Sequence, residues 1–395
     1  MTTRWDIVLA ALGAGILAGF QVGKVSPVLP ELRSDLGLDL ITAGWLTSLC
    51  YATSAVLAVA TGMVTDRAGP RRLVLAGMVL LAAGSLLGGL ADTGSGLLVS
   101  RFLEGMGFVA VTVTAPRLLA VATHPRNYGL VFGIWGAYMP IGMAIAMLGA
   151  PAIADMAGWR TFWLVSGALV AGFAVFLGWR LRPSSWPQPF PSRAIDWPGV
   201  RATLSSLPLW LFSLGFALYT LQWFAIMAWL PTFLIEDQGH ETAAAAAWAA
   251  LVVAVNACGN LAAAWAMHRR VPRWILVAVA YVAMGGAGAG IFLAATPDVL
   301  RVPLALVFSA VGGLLPAAAL AGAAAGATRA ALVATASGSV VQGAALGSLL
   351  GPPVLAAAVA GLGGWAASWW VMLAVSGAGL CLAAGLAMSE QHAPR

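Results

Sequence analysis

Charged residues are scarce in this sequence. Only 9% of its 395 residues are Asp, Glu, Lys or Arg, and 61% are apolar. Soluble domains usually carry about 25% charged residues, because water must solvate their surface. The composition therefore excludes an ordinary water-soluble fold and indicates that most of the molecular surface faces lipid.

Cysteine, histidine and lysine are rare as well. The three cysteines lie far apart within apolar runs, so no disulfide framework or metal spacing is present. The four histidines lie in loops or in the tail, without the paired acid and base that an enzyme needs. The one lysine and the dispersed arginines form no basic run of the kind that binds nucleic acid. We expect no enzyme, no metal, no nucleic-acid partner and no cofactor, apart from possible coupling to protons.

Long apolar runs make up most of the sequence. About 20 apolar residues cross a bilayer as a helix, and breaks rich in charge or in turn residues separate twelve such runs. The sequence predicts an all-α membrane protein with spans near residues 6–30, 40–65, 72–91, 95–121, 127–154, 159–181, 205–235, 242–267, 273–296, 301–325, 330–359 and 364–388.

The arginines are distributed unevenly over the loops between these runs. With both termini in the cytoplasm, most of them lie on cytoplasmic segments and only Arg33, Arg160 and Arg301 lie outside. The positive-inside rule then predicts a multi-pass protein of a bacterial-type inner membrane with both ends cytoplasmic.

The chain contains an internal repeat and a linker. Sliding the sequence against itself by about 201 residues aligns Gly142 with Gly343, among other matches. A proline-rich segment with mixed charge, which is unsuited to a helix, covers 183–201. We predict a six-helix bundle over 1–182, a cytoplasmic linker over 183–201 and a second six-helix bundle over 202–395. An even number of spans makes the two bundles a parallel repeat.

The loop after the second run carries a specific motif. It reads Gly, three residues, Asp, Arg, one residue, Gly, then basic residues, which resembles the loop signature of the major facilitator superfamily. In that family the loop helps to latch one conformation, which implies a latch formed by Gly62, Asp66, Arg67, Gly69, Arg71 and Arg72. An ordinary positive-inside turn is the alternative, although it explains only the arginines.

Two further strings support the resemblance. Arg101 begins a pattern similar to the family's second motif, and Gly136, Pro140 and Gly142 look like part of its antiporter signature, although Met139 stands where a glycine would precede the proline. The string from Trp229 to Glu236 also resembles the cyanate and nitroimidazole permease-like branch. The resemblance implies the twelve-helix fold of this superfamily.

Three ionisable residues lie at membrane depth, namely Lys24, Arg101 and Glu104. Such groups are costly in a bilayer and mark functional sites. Either the surplus cation binds an anionic substrate, or Glu104 exchanges a proton that a nearby cation influences. A buried ion pair with a structural role is a third possibility, and Lys24 alone has the option of snorkelling outward. Gln21 lies one turn before Lys24 and joins this candidate site.

The second half supplies only neutral candidates for substrate contacts, namely Tyr219, Gln222 and Trp223 in its first span. We expect a monomeric secondary active transporter in the lipid bilayer that moves a small solute, anionic or proton-coupled, by alternating access. The alternative is a proton-coupled efflux antiporter for drugs or for a metabolite such as a siderophore. A channel is disfavoured, because the repeat and the latch motif suit alternating access better.

Overall fold

The computed structural model describes residues 3–182, 197–326 and 333–391, which are almost entirely helical and include no β-strand. The chain divides into two compact units, residues Met1–Arg193 with Glu241–Ala250 and residues Ala194–His240 with Leu251–Arg395. Most of the predicted linker, residues 183–196, lies outside the described residues. Its last five residues are not linker, because a helix already begins at Trp197.

Eight helices precede the linker region. They are α1 (Trp5–Gly23), α2 (Leu29–Leu36), α3 (Leu40–Ser48), α4 (Cys50–Ala68), α5 (Pro70–Gly89), α6 (Gly94–Ala122), α7 (Tyr128–Gly136) and α8 (Tyr138–Arg180). Local capping fixes some of their ends. At the start of α3 the N–H of Thr42 donates to Asp39 Oδ1 at 2.6 Å, and this bond lowers the pKa of the Asp39 carboxyl.

Eight more helices follow in the described parts of the chain. They are α9 (Trp197–Leu204), α10 (Leu207–Glu236), α11 (Thr242–His268), α12 (Arg273–Phe292), α13 (Asp298–Gly312), α14 (Leu314–Gly326), α15 (Val333–Leu362) and α16 (Trp369–Gln391). The short α9 is too brief to cross a bilayer.

Within the part of the chain that the structure describes, the helices account for twelve membrane spans. Ten stretches are long and apolar enough to cross a membrane, and α3 with the first part of α4 forms an eleventh that is bent by 49°. One of the ten, α8, has 43 residues, or about 65 Å of helix, which is roughly twice the thickness of a hydrocarbon layer. Since its backbone breaks at Gly158, α8 is two spans. The predicted all-α membrane fold is confirmed.

The break at Gly158 recurs in the second unit. Gly158 has φ 78° and Gly364 has φ 143°, values that favour glycine, and each precedes a tryptophan, Trp159 or Trp365. Trp159 begins the second helical part of α8, and its backbone N–H donates a hydrogen bond to the carboxylate of Glu31 at 3.2 Å. In both halves, a glycine with positive φ followed by a tryptophan therefore marks the point where one span ends and the next begins.

Small residues bring helices together within each unit. In the first unit α1 packs against α8, where a Cβ added at Gly142 would overlap the carbonyl oxygen of Ile16. In the second unit α10 packs against α15, where a Cβ at Gly347 would overlap the carbonyl oxygen of Ala217. Membrane helices lack a hydrophobic driving force between them, so close backbone approach at small residues is what holds such pairs together.

This packing predicts that Gly142→Ala destabilises the protein. The added methyl group must push α1 away from α8, and overpacking of this kind costs about 1–3 kcal/mol. Thermal unfolding of the purified protein in detergent measures the loss.

Gly149→Ala is the matched control, because it lies on the same helix with open space around its Cα. It should leave the melting temperature unchanged or slightly raised, since alanine favours helix. Equal melting temperatures for the two variants would contradict the packing role of Gly142.

Candidate functional site

The three charges predicted at membrane depth meet in the first unit. Lys24 directly follows α1, and Arg101 and Glu104 belong to α6. Lys24 Nζ lies 2.5 Å from Glu104 Oε1, and Arg101 Nη1 donates to the other oxygen, Oε2. All three side chains are buried, with 0% of Lys24, 0% of Arg101 and 1% of Glu104 exposed. We call this cluster the charge triad, and within it Lys24 does not snorkel to the surface.

Helix geometry explains how the triad forms. Arg101 and Glu104 are three residues apart, so they share one face of α6. Helix α6 packs against α1, which carries Lys24 at its end, and against α5. Gly84 of α5 permits the second contact, because a Cβ there would lie 2.7 Å from Glu104 Cγ.

Neutral groups complete the environment of Lys24, and the sequence did not reveal them. Lys24 Nζ donates to Ser85 Oγ at 2.7 Å and lies 4.5 Å from the centroid of the Trp163 ring. Ser85 in turn contacts the carbonyl oxygen of Trp163 at 2.9 Å and Ser166 Oγ at 2.9 Å. A serine in an apolar span is typical of helix packing, so the sequence did not identify Ser85 as a partner of Lys24.

Arg101 has donors to spare. Its Nε donates to the Leu46 carbonyl oxygen at 3.1 Å, and its Nη1 donates to the Gln21 carbonyl oxygen at 2.9 Å as well as to Glu104. Its Nη2 is buried and has no partner among the described residues. The side-chain oxygen of Gln21 is likewise without a partner there, while its nitrogen donates to the Ser166 carbonyl oxygen at 3.4 Å.

The triad has one negative and two positive charges. Burying a charge without compensation is expensive, so the surplus positive charge favours an anion as an additional partner. Glu104 is also the one deeply buried carboxylate among the side chains that the structure describes, which makes it the natural place for a transferable proton in the membrane interior. The arrangement can therefore serve either chemistry.

The neutral candidates lie together in the second unit. Asn256 Nδ2 donates to Tyr219 Oη and to the Ser309 carbonyl oxygen, both at 2.9 Å, and Trp223 Nε1 donates to Ser309 Oγ at 3.0 Å. Gln222 is buried beside them in sequence but turns elsewhere, accepting a hydrogen bond from Ser376 Oγ at 3.1 Å. Asn256, Ser309 and Ser376 are thus added to the residues that the sequence predicted.

The predicted latch falls partly outside the description. The surroundings of Gly62, Asp66 and Arg67 are not described, so the latch stays a prediction. Gly69 has φ 84° and forms the turn between α4 and α5. Of the following arginines, Arg71 is partly buried and Arg72 is exposed.

The three residues of the span 5 motif separate in the structure. Gly142 packs on α1 as described, whereas a Cβ at Gly136 would meet nothing within 4 Å. Pro140 lies in the first turn of α8, where a missing N–H costs no helical hydrogen bond. Close packing thus accounts for Gly142, and nothing in the structure explains Gly136.

Arg301 differs from its expected position in an outer loop. It is only 8% exposed in the first turn of α13, where it donates to the Ile291 carbonyl oxygen at 2.6 Å and to Asp298 Oδ1 at 3.0 Å. The sequence signal of a span boundary was correct, but the guanidinium folds back to satisfy a carbonyl at the end of α12.

The apolar spans of the described residues, with polar clusters buried inside each unit, define a multi-pass membrane protein. The chain belongs to the Major Facilitator Superfamily, whose family model matches residues 11–352.

Individual relatives are more distant. The chain is 27% identical over 177 residues to the galactose-proton symporter of Escherichia coli, covering 45% of this chain and 38% of the symporter. It is 25% identical over 312 residues to the nitrite extrusion protein of Bacillus subtilis, covering 76% of this chain and 74% of that protein. The matches to the first curated relatives span only 28 to 38% of those relatives' own length.

A solved structure shares the fold. A bacterial homologue of the human lysosomal transporter Spinster, crystallised in an inward-facing and occupied conformation, superposes with a TM-score of 0.81 at 17% identity, covering 97% of this chain and 96% of that one.

The triad predicts an unequal stability effect of its members. Glu104→Gln leaves two buried cations without a counter-charge and should cost about 3–5 kcal/mol. Lys24→Met leaves a neutral Arg101–Glu104 pair and should cost less. Thermal unfolding in detergent ranks the two variants.

Asp92→Asn is the control for this ranking. Its side chain is 91% exposed and lies 3.8 Å from Arg160, and exposed ion pairs contribute little, so we expect no measurable loss. The charge argument fails if Glu104→Gln proves as stable as Lys24→Met.

Proposed function

We propose that this protein is a secondary active transporter that moves a small anion across the inner membrane by alternating access. The observation that carries the proposal is the buried triad with a surplus positive charge and an unfilled donor, Arg101 Nη2. The N–H groups of Arg101 Nη2 can donate charge-assisted hydrogen bonds to the oxygens of an anion, which makes Arg101 the suitable contact.

The two cations have different roles in this proposal. The hydrogen bonds of Lys24 to Glu104 and Ser85 and its position at the Trp163 ring commit it to holding the carboxylate. Arg101 holds the other carboxylate oxygen through Nη1 and keeps Nη2 for the solute. Gln21, which lies close to Lys24 in the sequence, offers its side-chain oxygen as a hydrogen-bond acceptor. Lys24 is thus a positioning residue and Arg101 the binding residue.

Tyr219, Gln222 and Trp223 remain proposed contacts for the solute during the transport cycle. Their polar atoms are buried in α10, and the Gln222 side-chain nitrogen has no partner among the described residues. Carrying no charge, they suit the neutral parts of a solute better than its anionic group.

The relatives support an anion without identifying it. Nitrite, named in the Bacillus subtilis relative that matches most of this chain, is a small anion. We further propose, from the arginine distribution, that both termini are cytoplasmic, and that the protein acts as a monomer.

Proton-coupled export of a drug or a metabolite such as a siderophore is the second candidate. The deeply buried Glu104 favours it, because a carboxylate in the membrane interior is suited to carry a proton. The relative named as a galactose-proton symporter supports proton coupling in the same way.

The anion proposal predicts saturable anion uptake into proteoliposomes. We would test nitrite, acetate and benzoate against hydrophobic cations, with a dye inside the vesicles that reports pH. Arg101→Lys should reduce anion uptake by about one to two orders of magnitude, because lysine keeps the charge but lacks the second guanidinium nitrogen.

Arg160→Lys is the matched control, since Arg160 pairs with Asp35 outside the triad, and we expect normal uptake. Wild-type KM in Arg101→Lys would show that Arg101 is not the anion contact. Transport of cations alone would favour the export candidate.

The second candidate predicts loss of proton movement in Glu104→Gln. The amide of glutamine cannot bind and release a proton near neutral pH, so the internal dye should report no pH change. Exchange of unlabelled for labelled solute should continue. Size-exclusion chromatography of the detergent-solubilised variant checks that it is folded. Proton movement that persists in a folded Glu104→Gln protein would exclude Glu104 as the proton site.

A further inference from the structure

A cluster of arginines and tryptophans lies where the start of α1 meets the end of α8. Asp6 Oδ2 lies 3.3 Å from Arg4 Nη2 and 3.1 Å from Arg180 Nη2, so two guanidinium groups converge on one carboxylate oxygen. Trp179 links a third arginine, because Arg180 Cζ and Arg182 Cζ lie 5.9 and 5.8 Å from its ring centroid. Three positive charges and one negative charge leave this basic corner with a net charge of about +2.

Hydrogen bonds hold the chain segment that precedes α1 in place. The backbone N–H of Arg4 donates to the Ala122 carbonyl oxygen at 2.8 Å. The hydroxyl of Thr3 accepts hydrogen bonds from the backbone N–H of His124 at 3.0 Å and from Asn127 Nδ2 at 2.9 Å. Arg4 is therefore presented from a fixed backbone, which lowers the entropy cost of binding a ligand.

The corner is open to its surroundings. Arg4 and Arg180 are 40% and 39% exposed, and Trp5 and Trp179 are 42% and 55% exposed. Both tryptophans lie at the ends of membrane spans, and tryptophan at such positions sits at the level of the lipid headgroups. The cations are thus placed at the depth of lipid phosphates.

We propose that this basic corner binds the phosphodiester headgroup of an anionic phospholipid. Guanidinium groups bind phosphate oxygens through paired N–H donors, and the net positive charge remains after Asp6 has compensated one arginine. The exposed indoles would pack against the glycerol and the first acyl carbons, a contact that a soluble phosphate cannot make. The proposal is independent of the transported solute.

The test uses the whole protein in detergent with phosphatidylglycerol, phosphatidylcholine of the same acyl chains, or glycerol phosphate. Native mass spectrometry measures binding. Phosphatidylglycerol should bind in preference to the other two. Each arginine near an anionic lipid contributes about fivefold to the binding constant. Arg182→Gln should therefore weaken the binding of phosphatidylglycerol by about fivefold, and the double variant Arg180→Gln/Arg182→Gln should weaken it by about 30-fold.

Asp6→Asn supplies a test of opposite sign. Removing the negative charge should tighten the binding of phosphatidylglycerol by about fivefold. If the corner had a purely structural role, the same substitution would disorder it and weaken the binding. If the double arginine variant does not fold, Arg182→Gln and Asp6→Asn still decide through their opposite effects.

Arg269→Gln is the matched control. Arg269 also stacks on a tryptophan, with its Cζ 5.3 Å from the Trp265 ring centroid, and its loss should leave phosphatidylglycerol binding unchanged. An equal loss in Arg269→Gln, equal binding of phosphatidylcholine, or glycerol phosphate binding as tightly as the lipid would each overturn the proposal.

Discussion

The first unit depends on one carboxylate shared between two cations. Glu104 holds Lys24 and Arg101 at once, and through them it connects α6 with the end of α1. Ser85 of α5 and Trp163 of α8 surround the same ammonium group, so four helices converge on these charges. Ionised groups in an apolar interior are stable only when each is paired and hydrogen-bonded, which is why the helices must hold this arrangement.

Close packing of the helices brings these charged side chains within reach of one another. Gly84 leaves room for Glu104, and Gly142 lets α8 approach α1 until backbones touch. The second unit repeats the frame with Gly347 in the equivalent kind of seam, but its buried polar groups are neutral, centred on Asn256 and Ser309.

The two units differ in the buried polar groups they carry. The first unit buries the charged triad, whereas Tyr219, Asn256 and Ser309 in the second unit are neutral and hydrogen-bonded to one another. Within the triad Arg101 Nη2 has no partner among the described residues, whereas Lys24 Nζ is hydrogen-bonded to Glu104 and Ser85. The basic corner at Asp6 differs from the triad, because its arginines are exposed rather than buried.

The sequence by itself determined the membrane class, the twelve spans, the repeat and the three residues of the triad. These features are readable because a bilayer tolerates so few charges that each exception is visible in an apolar run. Ser85 and Ser309 were not singled out as site residues, since small polar side chains in a span look like packing until their partners are known. Only the tertiary structure decided which donors of Arg101 are spent, that Lys24 points inward, that Arg301 folds back onto a carbonyl, and that Arg4 and Arg180 share Asp6. Each of these depends on contacts between helices far apart in the chain, and no local pattern encodes which side chain reaches which partner.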